Sequence, residues 1–131
     1  MFARICILTL AFGTTNVFAA EPCQTFHGRA HLSGGDGQLR IWHIGTHHEF
    51  QPDPTTWSKV TTWLETGVTD ADKRYASPAS MVYLYGDFVV CPVEPIKVGA
   101  VQTAIIGSVQ HRATLTLSRA SYSPPLAIKF P

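Results

Sequence analysis

Polar and apolar side chains alternate strictly along Gln24–Ser33, and this period of two constrains the fold more than any other feature of the chain. Phe26, Gly28, Ala30 and Leu32 fall on one side and Thr25, His27, Arg29 and His31 on the other, the pattern of a strand buried on one face only. Ser33-Gly34-Gly35-Asp36-Gly37 follows, a turn cluster in which glycine supplies positive φ. Gln38–Ile44 (QLRIWHI) then resumes as a second strand, and two strands so closely spaced make a hairpin. The register stays open. One alignment sets Trp42 across from Gly28; a shift by one sets His43 there and exchanges the two faces.

Beyond Gly45 the pattern predicts a short strand at His47–Phe50 and then one helix, Asp53–Thr66. Asp53 can cap it, and Pro54 suits the first helical position. Trp57, Val60, Trp63 and Leu64 form its core-facing stripe, and Gly67 stops it. Val68–Ser80 is polar and reads as a surface loop. Met81–Val93 is rich in strand formers, with Gly86-Asp87 as a bend or bulge. Ala100–Leu117 is either a second hairpin or one long strand bent at Gly107. Nine prolines and ten glycines argue against long helices, and 45% hydrophobic residues exclude a disordered chain. This order of elements suits an α+β domain, mainly antiparallel β: a small OB-like barrel with one helix, or alternatively a two-layer β-sandwich.

Residues 1–19 read as a signal peptide. Arg4 precedes an apolar run from Ile5 to Phe12, and Val17 and Ala19 are the small side chains a signal peptidase reads. Thr14, Thr15 and Asn16 interrupt the run, which is too short to span a bilayer. The expected mature unit is a single exported β-rich domain over 20–117, followed by a poorly ordered tail at 118–131. Its location would be periplasmic or extracellular, with no membrane span. Without the leader the chain carries nine basic and nine acidic side chains. Nucleic-acid binding depends on clustered excess cations, so that partner is not expected. Cys6 leaves with the leader, and the remaining pair, Cys23 and Cys91, is expected to form a disulfide in an oxidising compartment.

Gly28-Arg29, Leu39-Arg40-Ile41-Trp42 with Gly45-Thr46, and Tyr85-Gly86-Asp87-Phe88 with Cys91-Pro92 resemble the recurring motifs of an uncharacterised family of small exported bacterial proteins. The resemblance spans roughly residues 26–93. It implies export from a bacterium and architectural roles for the shared positions, and it implies no activity.

Histidine is the overrepresented reactive type. His43, His47, His48 and Glu49 place three imidazoles and a carboxylate within seven residues, donors that suit zinc or copper. No known ligand spacing is matched, and adjacent His47 and His48 would diverge on a strand. Asp70 and Asp72 do not begin an EF-hand loop, because Arg74 and Tyr75 stand where an oxygen ligand and a glycine are required. No nucleophile elbow occurs, and disulfide-bonded cysteines are not nucleophiles. Trp42 beside Arg40 would form a recognition surface if it faces outward and core if it faces inward. The expectation is therefore a non-enzymatic binding or structural domain with no cofactor, its partner a protein, glycan or small ligand. A histidine-rich metal-binding protein and a small hydrolase are the alternatives.

Overall fold

A computed structural model describes residues 21–117; the predicted leader and the predicted tail lie outside them. The elements run β1 (Gln24–Leu32), β2 (Leu39–His43), β3 (Glu49–Pro52), α1 (Trp57–Glu65), β4 (Val82–Pro92) and β5 (Gln102–Thr116), with 3-10 turns at Asp72–Arg74 and Pro78–Met81 between α1 and β4. The five strands close into a barrel in the order β1-β2-β3-β5-β4. Four of the strand contacts are antiparallel, and β3 with β5 is parallel. The barrel is thus mixed rather than purely antiparallel. The connection from β3 to its parallel partner β5 runs through α1, the 3-10 turns and β4, and the result is the OB-like barrel with one helix.

Alternation fills the interior. In β4 every second residue from Val82 to Pro92 is buried. The core gathers Leu39, Ile41, Phe50, Leu84, Phe88 and Ile106 from the strands, and Val60 and Leu64 from α1. Trp57 and Trp63 pack against this core only in part, so the helix is anchored by its aliphatic residues rather than by Trp57. Asp53 accepts hydrogen bonds at Oδ1 from Thr56 N (3.1 Å) and Thr56 Oγ1 (2.6 Å), which ties down the turn leading into α1. Burial pushes the Asp53 carboxyl up, but its hydrogen bonds from Thr56 and Thr55 outweigh this and hold it below its ordinary value.

The segment 68–80 is more than a polar surface loop. Asp72 and Ala79 are buried there, and Asp72 Oδ2 accepts from Thr69 Oγ1 at 2.8 Å. Its hydrophilic composition hides an anchor, because the 3-10 turns fold its backbone over the barrel end. The β1–β2 register sets His43 opposite Gly28 and Trp42 opposite Arg29. A Cβ on Gly28 would lie 2.9 Å from Phe88 Cδ2 and 3.1 Å from the Trp42 carbonyl, so only glycine lets the barrel wall approach its own core there.

β5 is one strand, not a hairpin. It carries irregularities opposite Tyr85–Asp87 and Val89–Val90, and Gly107 is the extra residue of the second, between Ile106 and Ser108. Cys23 and Cys91 are disulfide-bonded with Cα atoms 4.0 Å apart. The bond adds one covalent rung beyond the Gln24–Val90 pair that begins the β1–β4 ladder.

Candidate functional site

The register that buries Gly28 and Ala30 turns Arg29 and His31 outward, and their cross-strand neighbours build a continuous outer face. One row runs Glu49, Trp42, Arg29, Tyr85 across β3, β2, β1 and β4. The next runs Arg40, His31, Tyr83 across β2, β1 and β4, and Arg40 reaches Gln51 of β3 through a 2.8 Å hydrogen bond to Oε1. A cleft of about 270 Å³ opens on this face beside the β1–β2 turn, lined by Arg29, His31, Ser33, Asp36, Gln38, Arg40, Trp42 and Glu49.

Arg29 is the centre of the arrangement. Its guanidinium carbon lies 5.1 Å from the Trp42 ring centroid and 4.6 Å from that of Tyr83, so two aromatic rings hold it by cation–π attraction. Its Nε is buried without a hydrogen-bond partner. Among the described residues, carboxylates lie within ion-pair distance of a basic side chain at Asp87, beside His27 and His111, and at Asp70, beside Lys73; Arg29 and Arg40 join none of these contacts. Trp42 is fixed from behind, its Nε1–H donating to Thr46 O at 2.8 Å. Arg40 donates to Leu39 O, to Gln51 Oε1 and to Gln38 Oε1. Burial, with the Arg29 charge in addition, lowers the His31 pKa and favours its neutral form. Asp36 sits below the usual carboxylate range through hydrogen bonds from Ser33 and Gln38, and it braces the turn that forms one lip.

Trp42 and Arg40, picked out in the sequence, therefore stand together on the outer face. Trp42 is half-buried and points away from the core. The structure does not bring His43, His47, His48 and Glu49 together. His43 stacks on Phe26 at 4.2 Å between ring centroids. His47 is exposed in the β2–β3 turn. His48 pairs with Gln102 Oε1 at 2.9 Å and packs edge-on against Phe50. Glu49 lies opposite Trp42. The β2–β3 connection holds the donors apart, and among the described residues no three His, Cys, Asp or Glu side chains are placed to hold a metal ion.

Arg29, His31, Tyr83 and Tyr85 escaped the sequence reading. Alternation in β1 put Arg29 and His31 on one side of the strand, but only the β1–β2 and β1–β4 registers bring them and the two tyrosines beside Trp42. A second polar group also forms across strands. Asp87 binds His27 Nδ1 at 3.1 Å and His111 Nδ1 at 2.8 Å. His111 has φ 51°, the only non-glycine residue with positive φ among those described, and it sits in the β5 irregularity opposite Gly86, where a bulge re-aims the side chain.

Comparison of the chain with protein-family models, with curated proteins and with solved structures returns no match. No helix among the described residues is long and apolar enough to cross a membrane.

Proposed function

We propose that the protein is an exported, non-enzymatic binding domain that takes its ligand on the outer face of β1, β2, β3 and β4. The observation that carries this reading is Arg29: a half-buried cation, clamped by Trp42 and Tyr83, with no anionic partner among the described residues. A folded chain gains little from holding a guanidinium whose Nε is buried without an acceptor; a ligand that supplies one gives the arrangement a purpose. OB-type barrels bind through the strand 2–3 face and the β1–β2 loop, and the cleft lies at that place. The fold contributes only a location; the chemistry comes from the residues.

Export is supported by the signal-peptide pattern of residues 1–19 and by the disulfide. The periplasm or the extracellular space is the proposed location. The equal numbers of acidic and basic side chains outside the leader argue against a nucleic-acid ligand, leaving a protein, a glycan or a small molecule.

The test is positional. Isotope-labelled mature protein is titrated with panels of oligosaccharides, peptides and extracellular metabolites while its amide resonances are followed. Shifts are expected to cluster at residues 29–31, 38–42, 49–51 and 83–85. Shifts centred instead on the β4–β5 connection, or on the histidines of the β2–β3 turn, would refute the reading.

A further inference from the structure

We infer that the ligand is an acidic saccharide, whose carboxylate is received by the exposed edge of the Arg29 guanidinium. The inference rests on the proposed binding face and deepens it.

Sugar-binding sites commonly offer the flat face of a tryptophan or tyrosine. Here the inner side of that platform is already taken, because Arg29 lies against both Trp42 and Tyr83. What the stacked guanidinium still presents is its edge, a planar fork of N–H donors whose geometry matches a carboxylate. Two rings hold that fork in place, so little side-chain entropy is lost when an anion binds. Arg40 stands diagonally across the same face, across from His31. It is braced by the amide oxygens of Gln38 and Gln51, and it too has no carboxylate partner among the described residues.

The cleft favours a saccharide over a peptide. No aliphatic side chain lines it, so it lacks the apolar pocket that receives a peptide anchor, and barrel closure removes the β1–β2 edge onto which a peptide strand would add. Serine, glutamine and carboxylate groups around it match hydroxyls instead. At about 270 Å³ it is just below the range of drug-sized ligand pockets, room for a single sugar ring carrying its acid group. Asp36 and Glu49 are the opposing charges. Asp36 is turned into the backbone of its own turn, accepting from Gln38 N at 3.1 Å. Glu49 lies beyond Trp42 from Arg29, so its charge moderates the attraction of this face for an anion.

The experiment measures binding of the mature protein, by calorimetry and Trp fluorescence, to three probes of equal length: an oligouronate, its methyl ester, and a neutral glucose oligomer. The oligouronate is expected to bind at least tenfold more tightly than either neutral probe, with affinity falling as salt is raised. Arg29→Gln should abolish that preference, Arg29→Lys should restore part of it, and Glu49→Gln should tighten oligouronate binding several-fold. Circular dichroism and Tm on each variant show whether it is folded. Equal binding of charged and neutral oligosaccharides, with shifts on the β1–β4 face, would overturn the acid requirement and leave the binding face standing. Binding of acidic peptides in place of oligouronates would overturn the saccharide assignment. No oligouronate binding at millimolar concentration overturns the inference outright, while the binding face is judged by where the wider panels shift the amide resonances.

Discussion

Two neighbouring rungs of the β1–β4 ladder treat charge in opposite ways. At one, His27 faces Asp87, and a carboxylate is shared by His27 and, through the β5 irregularity, by His111. At the other, Arg29 faces Tyr85, and a guanidinium rests on aromatic rings with no anionic partner among the described residues. Both rungs lie on the same face, and the Gly28–Gly86 pair separates them. The first rung is closed: its acid is hydrogen-bonded from within the chain. The second is open. Closed polar clusters hold a structure in register, whereas a rigid, unpaired cation on a surface is an acceptor site awaiting its anion. The contrast explains why the denser cluster of titratable groups is not the proposed binding site.

The comparison depends on the ladder being one cooperative unit, and the disulfide tests this with the largest expected effect. The two cysteines are 68 residues apart in sequence, and closing a loop of that order is worth about 4 kcal/mol in the chain-entropy account. Replacing both cysteines with serine should lower stability by about that amount in denaturant titration. Native-state hydrogen exchange should then show the amides of both rungs losing protection equally. Selective loss at the His27 rung alone would show that the two rungs are independent.

Next in size is Gly86→Ala, which strikes between the rungs. An added Cβ would stand 2.5 Å from Val109 Cγ2 and 2.8 Å from the Gln110 carbonyl oxygen. The backbone of β5 must shift, at a cost of about 3 kcal/mol, the upper part of the overpacking range. His111 follows Gln110, so its contact with Asp87 should break, while the Arg29 stack, which does not involve β5, keeps its geometry. NMR of the histidine side chains would show the difference. A variant of wild-type stability would mean that the irregularity is plastic and does not set the His111 position.

How much of this was legible in the chain follows from which distances are short along the sequence. The alternation in β1, the strand formers of β4, the turn at Ser33–Gly37 and one helix after Asp53 are local, and each was readable; the helix begins at Trp57 with Thr56 at its N-cap rather than at Pro54, because Asp53–Thr56 closes as a turn first. The closed barrel with one helix follows from their order. The parallel β3–β5 contact was not readable, since nothing in a four-residue strand records which later segment will flank it. Asp72 was hidden for a related reason: a polar loop and a polar loop folded over a core share one composition. At the site, Trp42 beside Arg40 was visible because the two are close in sequence. Arg29, Tyr83 and the His27–Asp87–His111 group join only through registers that a one-residue slip would undo. His43, His47, His48 and Glu49 show the reverse case, sequence neighbours that the end of β2, the β2–β3 connection and the start of β3 hold apart.

Trp42→Ala sharpens the open rung directly. Trp42 is half-buried and supplies one wall of the Arg29 clamp, so the cost in stability should be about 1–2 kcal/mol, the size of a cation–π contact plus partial burial. A full core tryptophan would cost about 3–5 kcal/mol. Arg29 then loses its fixed orientation, and the amide shifts that any ligand induces at residues 29–31 should shrink. A loss in the core range would make Trp42 a structural residue and weaken the recognition reading.

The smallest effect belongs to the closed rung and is read through pH. Hydrogen bonds from His111 first, and from His27 second, hold the Asp87 carboxyl below the usual carboxylate range. A group whose folded pKa is depressed stabilises the protein above its unfolded value, near 3.9, and that stability is lost as pH falls through the folded pKa. Asp87→Asn lacks this contribution at every pH. The Tm gap between wild type and Asp87→Asn should therefore be greatest between about pH 5 and 7 and close progressively as the wild-type carboxylate protonates in acid. The gap should be small, because the carboxyl is exposed to water. Arg29→Gln is the matched control on the open rung. Its Tm should run parallel to wild type across the same acid range, since no carboxylate among the described residues depends on Arg29. A gap that closes for Arg29→Gln and stays constant for Asp87→Asn would reverse the assignment of closed and open rungs: Arg29 would then have an internal acid partner, and the case for an anionic ligand at that edge would be lost with it.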